Sequence, residues 1–92
     1  MILGYHDKRT ERFASGEFVK AFSGIEAQAA KRLAILNAAP SLDALRALPS
    51  NRLEALKGDR AGQWSIRVND QWRVCFVWKD GGAHDVEVTD YH

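Results

Sequence analysis

One cysteine, one methionine, two prolines and a net charge of only +1 in 92 residues exclude several kinds of protein before any motif is considered. A lone thiol, Cys75, cannot form a disulfide within the chain, so a cross-linked scaffold is out of reach. Set among Val74, Phe76 and Val77, it is expected to be a small apolar core residue in a reducing cytoplasm. That cysteine and the scattered His6, His84 and His92 do not have zinc-ligand spacing, and no metal or other cofactor is expected. Gly58 and Gly62 are too few for a phosphate-cradling loop. No stretch approaches the ~18 apolar residues of a membrane span. The opening residues turn polar at His6, too soon for a secretory leader. A cytoplasmic protein without a membrane partner is the expectation.

The chain is long enough for one domain, residues 1–92, with one modest core. Its first half reads as helical. Ile2 to Tyr5 can form a short strand, and Asp7 can cap a helix from Lys8 to about Ala14, with Gly16 just past its end. Ser23-Gly24-Ile25-Glu26 has the form of a capping box. Ile25, Ala29, Leu33 and Leu36 follow on one helical face, with Gln28, Lys31 and Arg32 elsewhere, until Pro40. Leu42, Leu45 and Leu48 continue at helical spacing to Pro49.

After Asn51 the period changes to two. Trp64, Ile66 and Val68 alternate with polar residues, Asn69-Asp70 signals a turn, and Trp72, Val74, Phe76 and Trp78 repeat the alternation. Asp80-Gly81-Gly82 is a hairpin signal, and Ala83 to Thr89 forms a last strand. The expected fold is α+β, with N-terminal helices packed on one face of a small antiparallel sheet.

Charge is distributed unevenly. Between Arg46 and Arg73 there are six basic residues and three acidic; from Lys79 onward one lysine stands against Asp80, Asp85, Glu87 and Asp90. The alternation places Ser65, Arg67 and Arg73 opposite the tryptophan-rich face. Two guanidiniums on neighbouring strands can hold a phosphate, or each can pair with a cross-strand carboxylate such as Asp85 or Glu87. The three tryptophans are expected in the core, and His6 and His84 in solvated or packing roles. The sequence closes on Asp90-Tyr91-His92, a carboxylate, a phenol and an imidazole suited to acid–base chemistry.

The stretch from Leu56-Lys57-Gly58 through Trp64-Ser65-Ile66-Arg67-Val68, then Trp72-Arg73-Val74 and the closing Asp90-Tyr91-His92, resembles the HigB-type toxins of the RelE/ParE superfamily. The β half carries most of the likeness; the helical half agrees in length and order. The resemblance implies a fold shared with small microbial ribonucleases. It also implies a metal-free endonuclease that cuts messenger RNA on the ribosome, silenced by a helix-turn-helix antitoxin of HigA type. Operator DNA would be reached only through that antitoxin. The matching positions imply catalytic roles for Lys57, Arg73, Asp90, Tyr91 and His92. A net charge of +1 is low for a protein that must dock on ribosomal RNA.

Metal-free cleavage needs a proton taken from a ribose 2′-OH, charge stabilised on the phosphorane and a proton given to the leaving 5′-oxygen. His92, of a residue type titrating at about 6.5, suits the proton work. Asp90 lies on its side of an ideal strand and can orient the ring or favour its cation, as can the α-carboxylate of His92. Tyr91 points the other way and joins only if the strand end twists, for proton transfer or for stacking on a base. Arg73 and Lys57 are candidates for stabilising the phosphorane, and Arg60 and Arg67 for holding the RNA backbone. A ParE-like module that inhibits DNA gyrase without ribonuclease chemistry is the alternative, as is a copy that only binds its antitoxin.

Overall fold

In the computed structural model, which describes residues 1–90, Asp7 starts the first helix as its sequence position predicts. Its carboxylate accepts the Thr10 backbone N–H at 2.8 Å and caps α1 (Lys8–Ala14). The buried Thr10 hydroxyl accepts the Val88 N–H at 3.1 Å, which ties α1 to the end of the last strand.

The longest helix, α2 (Glu26–Ala38), begins without the expected capping box. The Glu26 carboxylate accepts the Gly24 N–H at 2.8 Å rather than that of Ser23. Ser23 instead closes a 3-10 turn at Lys20–Phe22, leaving Ile25 as an N-cap with no side-chain bond. Ile25, Ala29, Leu33 and Leu36 are buried on one face, as the spacing requires.

Arg32, expected off that face, is buried too. Its guanidinium donates to Asn51 Oδ1 at 2.7 Å and Ser50 Oγ at 3.3 Å, and Asn51 Nδ2 donates to the Leu45 carbonyl at 3.0 Å. This network fixes the connection from α3 (Leu42–Arg46) toward the sheet. Ser41 caps α3 by accepting the Ala44 N–H at 3.1 Å. Leu45 is buried, whereas Leu48 lies beyond the helix and is exposed, because the chain turns at Pro49–Asn51.

Four strands form one antiparallel meander in chain order: β1 (Glu54–Ala55), β2 (Trp64–Arg67), β3 (Trp72–Lys79) and β4 (Gly82–Asp90). Asp80 and Gly81 both have positive φ (53° and 75°), the type I′ geometry that matches strand twist, and Lys79 pairs with Gly82 across the turn. Pairing then slips by one residue. Val77 pairs with His84 but Cys75 with Glu87, so Asp85 and Val86 together oppose Phe76. Asp85 supplies this bulge with a left-handed residue (φ 55°), and its carboxylate meets His6 Nδ1 at 3.3 Å.

The expected opening strand, Ile2 to Tyr5, is reduced to two parallel bridges onto β4, Ile2 to Ala83 and Tyr5 to Val86. The bulge lies between those points and interrupts the ladder. The helices cover one face of the sheet, where Phe22, Leu33, Leu36 and Leu45 pack with Ile66, Val74, Phe76, Val86 and Val88. Trp64, Trp72 and Trp78 border this core, Trp72 standing edge-on to Phe22.

Candidate functional site

The sheet's other face is built from the alternate residues of the same strands. The register puts Glu54 beside Ser65, Ser65 beside Cys75, Arg67 beside Arg73, Arg73 beside Thr89, and Cys75 beside Glu87. A loop between β1 and β2 adds Leu56, Lys57 and Arg60. Its 3-10 turn, Gly58–Arg60, starts at Gly58 with φ 62°, a conformation that glycine adopts without strain. Leu56 and Cys75 are buried but belong to no part of the helix-side core. They form a small apolar floor under the charged residues.

Arg60 leans over this floor. Its Nη1 donates to Glu87 Oε1 and to Gln63 Oε1, each at 3.1 Å. Arg73 is held from two sides: Nη1 donates to the buried Ser65 Oγ at 3.0 Å, and Nη2 lies 3.6 Å from Glu54 Oε2. Arg67 turns the other way and pairs with Asp70 in the β2–β3 turn. The two guanidiniums therefore start from facing positions yet do not converge on one point. Nor do Asp85 and Glu87 pair with them as cross-strand partners; Glu87 holds Arg60, and Asp85 holds His6.

Lys57 is exposed at the start of the 3-10 turn, and among the described residues its side chain has no ion-pair partner. Burial pushes the Cys75 thiol up to about 11; Arg60 and Arg73 pull it down and Glu87 pushes it up, so three site charges face the sulfur. The thiol stays protonated and unreactive near neutral pH.

Asp90 occupies a different side. It is the register partner of Trp72, so its side chain leaves the sheet on the tryptophan side, where its Oδ2 accepts Gln71 Nε2 at 2.8 Å. Thr89, one residue earlier, is the one beside Arg73. The strand end therefore separates Asp90 from the arginine face rather than joining them. Tyr91 and His92 lie outside the described residues. The structure thus brings together Arg60, Arg67 and Arg73 on one face, with Lys57 on the loop bordering it.

Ser65 lies on the arginine face as strand alternation predicts, and Glu87 does pair with an arginine, though with Arg60 rather than Arg67 or Arg73. Glu54 is the participant that the sequence did not reveal, because it sits on a two-residue edge strand too short to carry a period.

Residues 3–92 match the family of RelE-like toxins of the type II toxin–antitoxin system HigB. The chain is 41% identical over 85 residues to "Toxin HigB-1" of Vibrio cholerae serotype O1, covering 90% of each protein. It is 46% identical over 41 residues to "Endoribonuclease HigB" of Proteus vulgaris, covering 45% of each. Solved structures with the same fold include a YoeB/ParE toxin from Agrobacterium tumefaciens (TM-score 0.57, 17% identity, 99% of this chain and 98% of that one). A YoeB dimer from Staphylococcus aureus also superposes at TM-score 0.57, with 19% identity over 99% and 94% of the two chains. With its helices on one face of a four-stranded antiparallel sheet and its family match running almost end to end, the chain belongs to the HigB family of RelE-like toxins.

Proposed function

We propose that this toxin is a metal-independent endoribonuclease that cuts messenger RNA on the ribosome and so arrests translation. The observation that carries the reading is the face that gathers Arg60, Arg67 and Arg73, on which Arg73 is in register with Thr89, the residue that precedes Asp90-Tyr91-His92 in the sequence. The name of the Proteus vulgaris relative, an endoribonuclease, supports it.

In this reaction a ribose 2′-oxygen attacks the adjacent phosphorus and the P–O5′ bond breaks. The 2′-oxygen loses a proton as it attacks, and the 5′-oxygen gains one as it leaves. His92 is the group assigned to this proton traffic. Arg73 and Lys57 stabilise negative charge on the phosphorane, the largest contribution expected in a site without a strong nucleophile of its own. Arg67 holds the RNA backbone, and Arg60, closed on the mostly buried Glu87, borders its path. Asp90, on the Trp72 side of the strand, orients the His92 ring or favours its cation rather than touching the phosphate that Arg73 holds. Tyr91 stacks on a base or shares in the proton transfer. The silencing partner is a helix-turn-helix antitoxin of HigA type, through which operator DNA is bound.

Induction of the wild-type chain and of His92→Gln, with mapping of new RNA 5′ ends, tests the proposal. New ends inside messenger RNA, absent in the variant and unaffected by chelator in a reconstituted translation reaction, are expected. Undiminished cleavage by His92→Gln would overturn the mechanism. Growth arrest with a DNA-damage response and intact messenger RNA would mark gyrase inhibition instead.

A further inference from the structure

Each arginine of the site face has a carboxylate of its own chain against it, but the three pairs differ in exposure. The Glu87 side chain is 12% exposed and its partner Arg60 28%. Glu54, against Arg73, is 57% exposed, and Asp70, against Arg67, is fully exposed at 100%. A carboxylate and a phosphate offer a guanidinium the same pair of acceptor oxygens. Exposed ion pairs contribute little, so a phosphate arriving with the rest of a nucleic-acid chain can displace an exposed carboxylate readily. A mostly buried one such as Glu87 is held by packing as well as by charge.

We propose that Glu54 and Asp70 occupy, in the free protein, the places that two backbone phosphates of bound RNA take on Arg73 and Arg67, while Arg60–Glu87 stays closed as a fixed wall. The inference rests on the ribonuclease reading above and assigns two phosphate subsites within it. Arg73 is turned toward β1 and Arg67 toward the β2–β3 turn, so the strand of RNA runs obliquely over the end of the sheet with one phosphate on each. Ser65 keeps Arg73 in place through the exchange, because its hydroxyl contact does not involve the departing carboxylate. The modest net charge has a physical use on this account. The arginines are masked until a chain with correctly spaced phosphates unmasks two together, which suppresses binding to arbitrary polyanions.

The test is binding of a 2′-O-methylated hexaribonucleotide, which cannot be cleaved, to the full chain and to Glu54→Gln, Asp70→Asn and Glu17→Gln. The last variant removes one negative charge on the helical side and serves as a control for net charge. Glu54→Gln and Asp70→Asn are each expected to bind about five-fold more tightly. Their log–log salt dependence should steepen by about 0.7 each, as one more arginine exchanges its counterion for RNA. Glu17→Gln should match the wild type. An equal gain in Glu17→Gln, or no gain in the two site variants while RNA still binds, would overturn the masking and leave the ribonuclease reading standing. If no form binds the oligonucleotide, the masking falls, while the ribonuclease reading stands or falls with the 5′-end mapping of His92→Gln.

A second measurement uses inorganic phosphate and the arginine Nε–H NMR signals. Shifts at Arg67 and Arg73 with Arg60 unmoved are expected; a shift at Arg60 alone contradicts the assignment.

Discussion

The two faces of the sheet come from the same four strands, one residue apart, and solve opposite problems. On the helix side Ile66, Val74, Phe76, Val86 and Val88 lose all or nearly all contact with water. Non-directional apolar burial there supplies most of the stability. On the other side Ser65 bonds Arg73, Glu87 pairs with Arg60 and Asp70 with Arg67, around a small apolar floor of Leu56 and Cys75. These interactions are directional and worth little net energy, but they fix where charge is placed. Period-two alternation thus lets a small protein separate what holds it together from what it presents to a ligand.

The separation can be broken from either side. Phe22 is fully buried and packs edge-on against Phe13 and Trp72, so Phe22→Ala should cost about 3–5 kcal/mol in urea unfolding. On the charged face the order reverses. Arg73→Ala should lower messenger-RNA cleavage by about 100-fold or more. Its unfolding free energy should fall by only about 1 kcal/mol, since one buried hydroxyl loses its partner. Arg73→Lys should not restore the rate, because a lysine cannot span Ser65 and Glu54 with a planar fork. A loss of stability in Arg73→Ala as large as that of Phe22→Ala would erase the distinction between the faces.

The apolar floor makes a subtler prediction. The folded-state Cys75 pKa lies above its ordinary value of 9.0, at about 11. As pH rises through 9 the unfolded chain releases this proton while the native chain keeps it. The stabilisation is therefore complete below 9 and lost progressively up to about 11. Cys75→Ala should flatten that part of the stability–pH curve in urea titrations at successive pH values. The smallest change, Asp7→Ala, removes the cap of α1 and should cost about 1 kcal/mol by thermal unfolding, with no change in cleavage by folded protein.

Much of this arrangement was legible in the residues. Strands β2 to β4, the Asp80-Gly81 turn and the buried face of α2 follow from periodicity and turn chemistry, which act over a few residues. The shared face of Arg67 and Arg73 follows from strand alternation. What escaped depends on contacts distant in sequence or on irregular backbone. Ser23 lost its capping role to a 3-10 turn that positions Phe22 in the core. Arg32 is buried because Asn51, nineteen residues on, offers it a neutral partner. The separation of Asp90 from the arginine face depends on a bulge carried by Asp85, a residue whose left-handed backbone has no marker as plain as glycine. Glu54 could be placed only once β1 was seen beside β2.

That bulge works as a phase shifter. Continuing the pairing of Val77 with His84 without it would set Phe76 against Asp85, Cys75 against Val86 and Val74 against Glu87. A carboxylate would then enter the hydrophobic interior and Val88 would surface among the arginines. Everything downstream would exchange sides, Asp90 included. The stretch from Ala83 to Val86 is therefore constrained in length more tightly than in composition: substitutions there adjust stability, but gaining or losing a single residue turns the rest of β4 inside out.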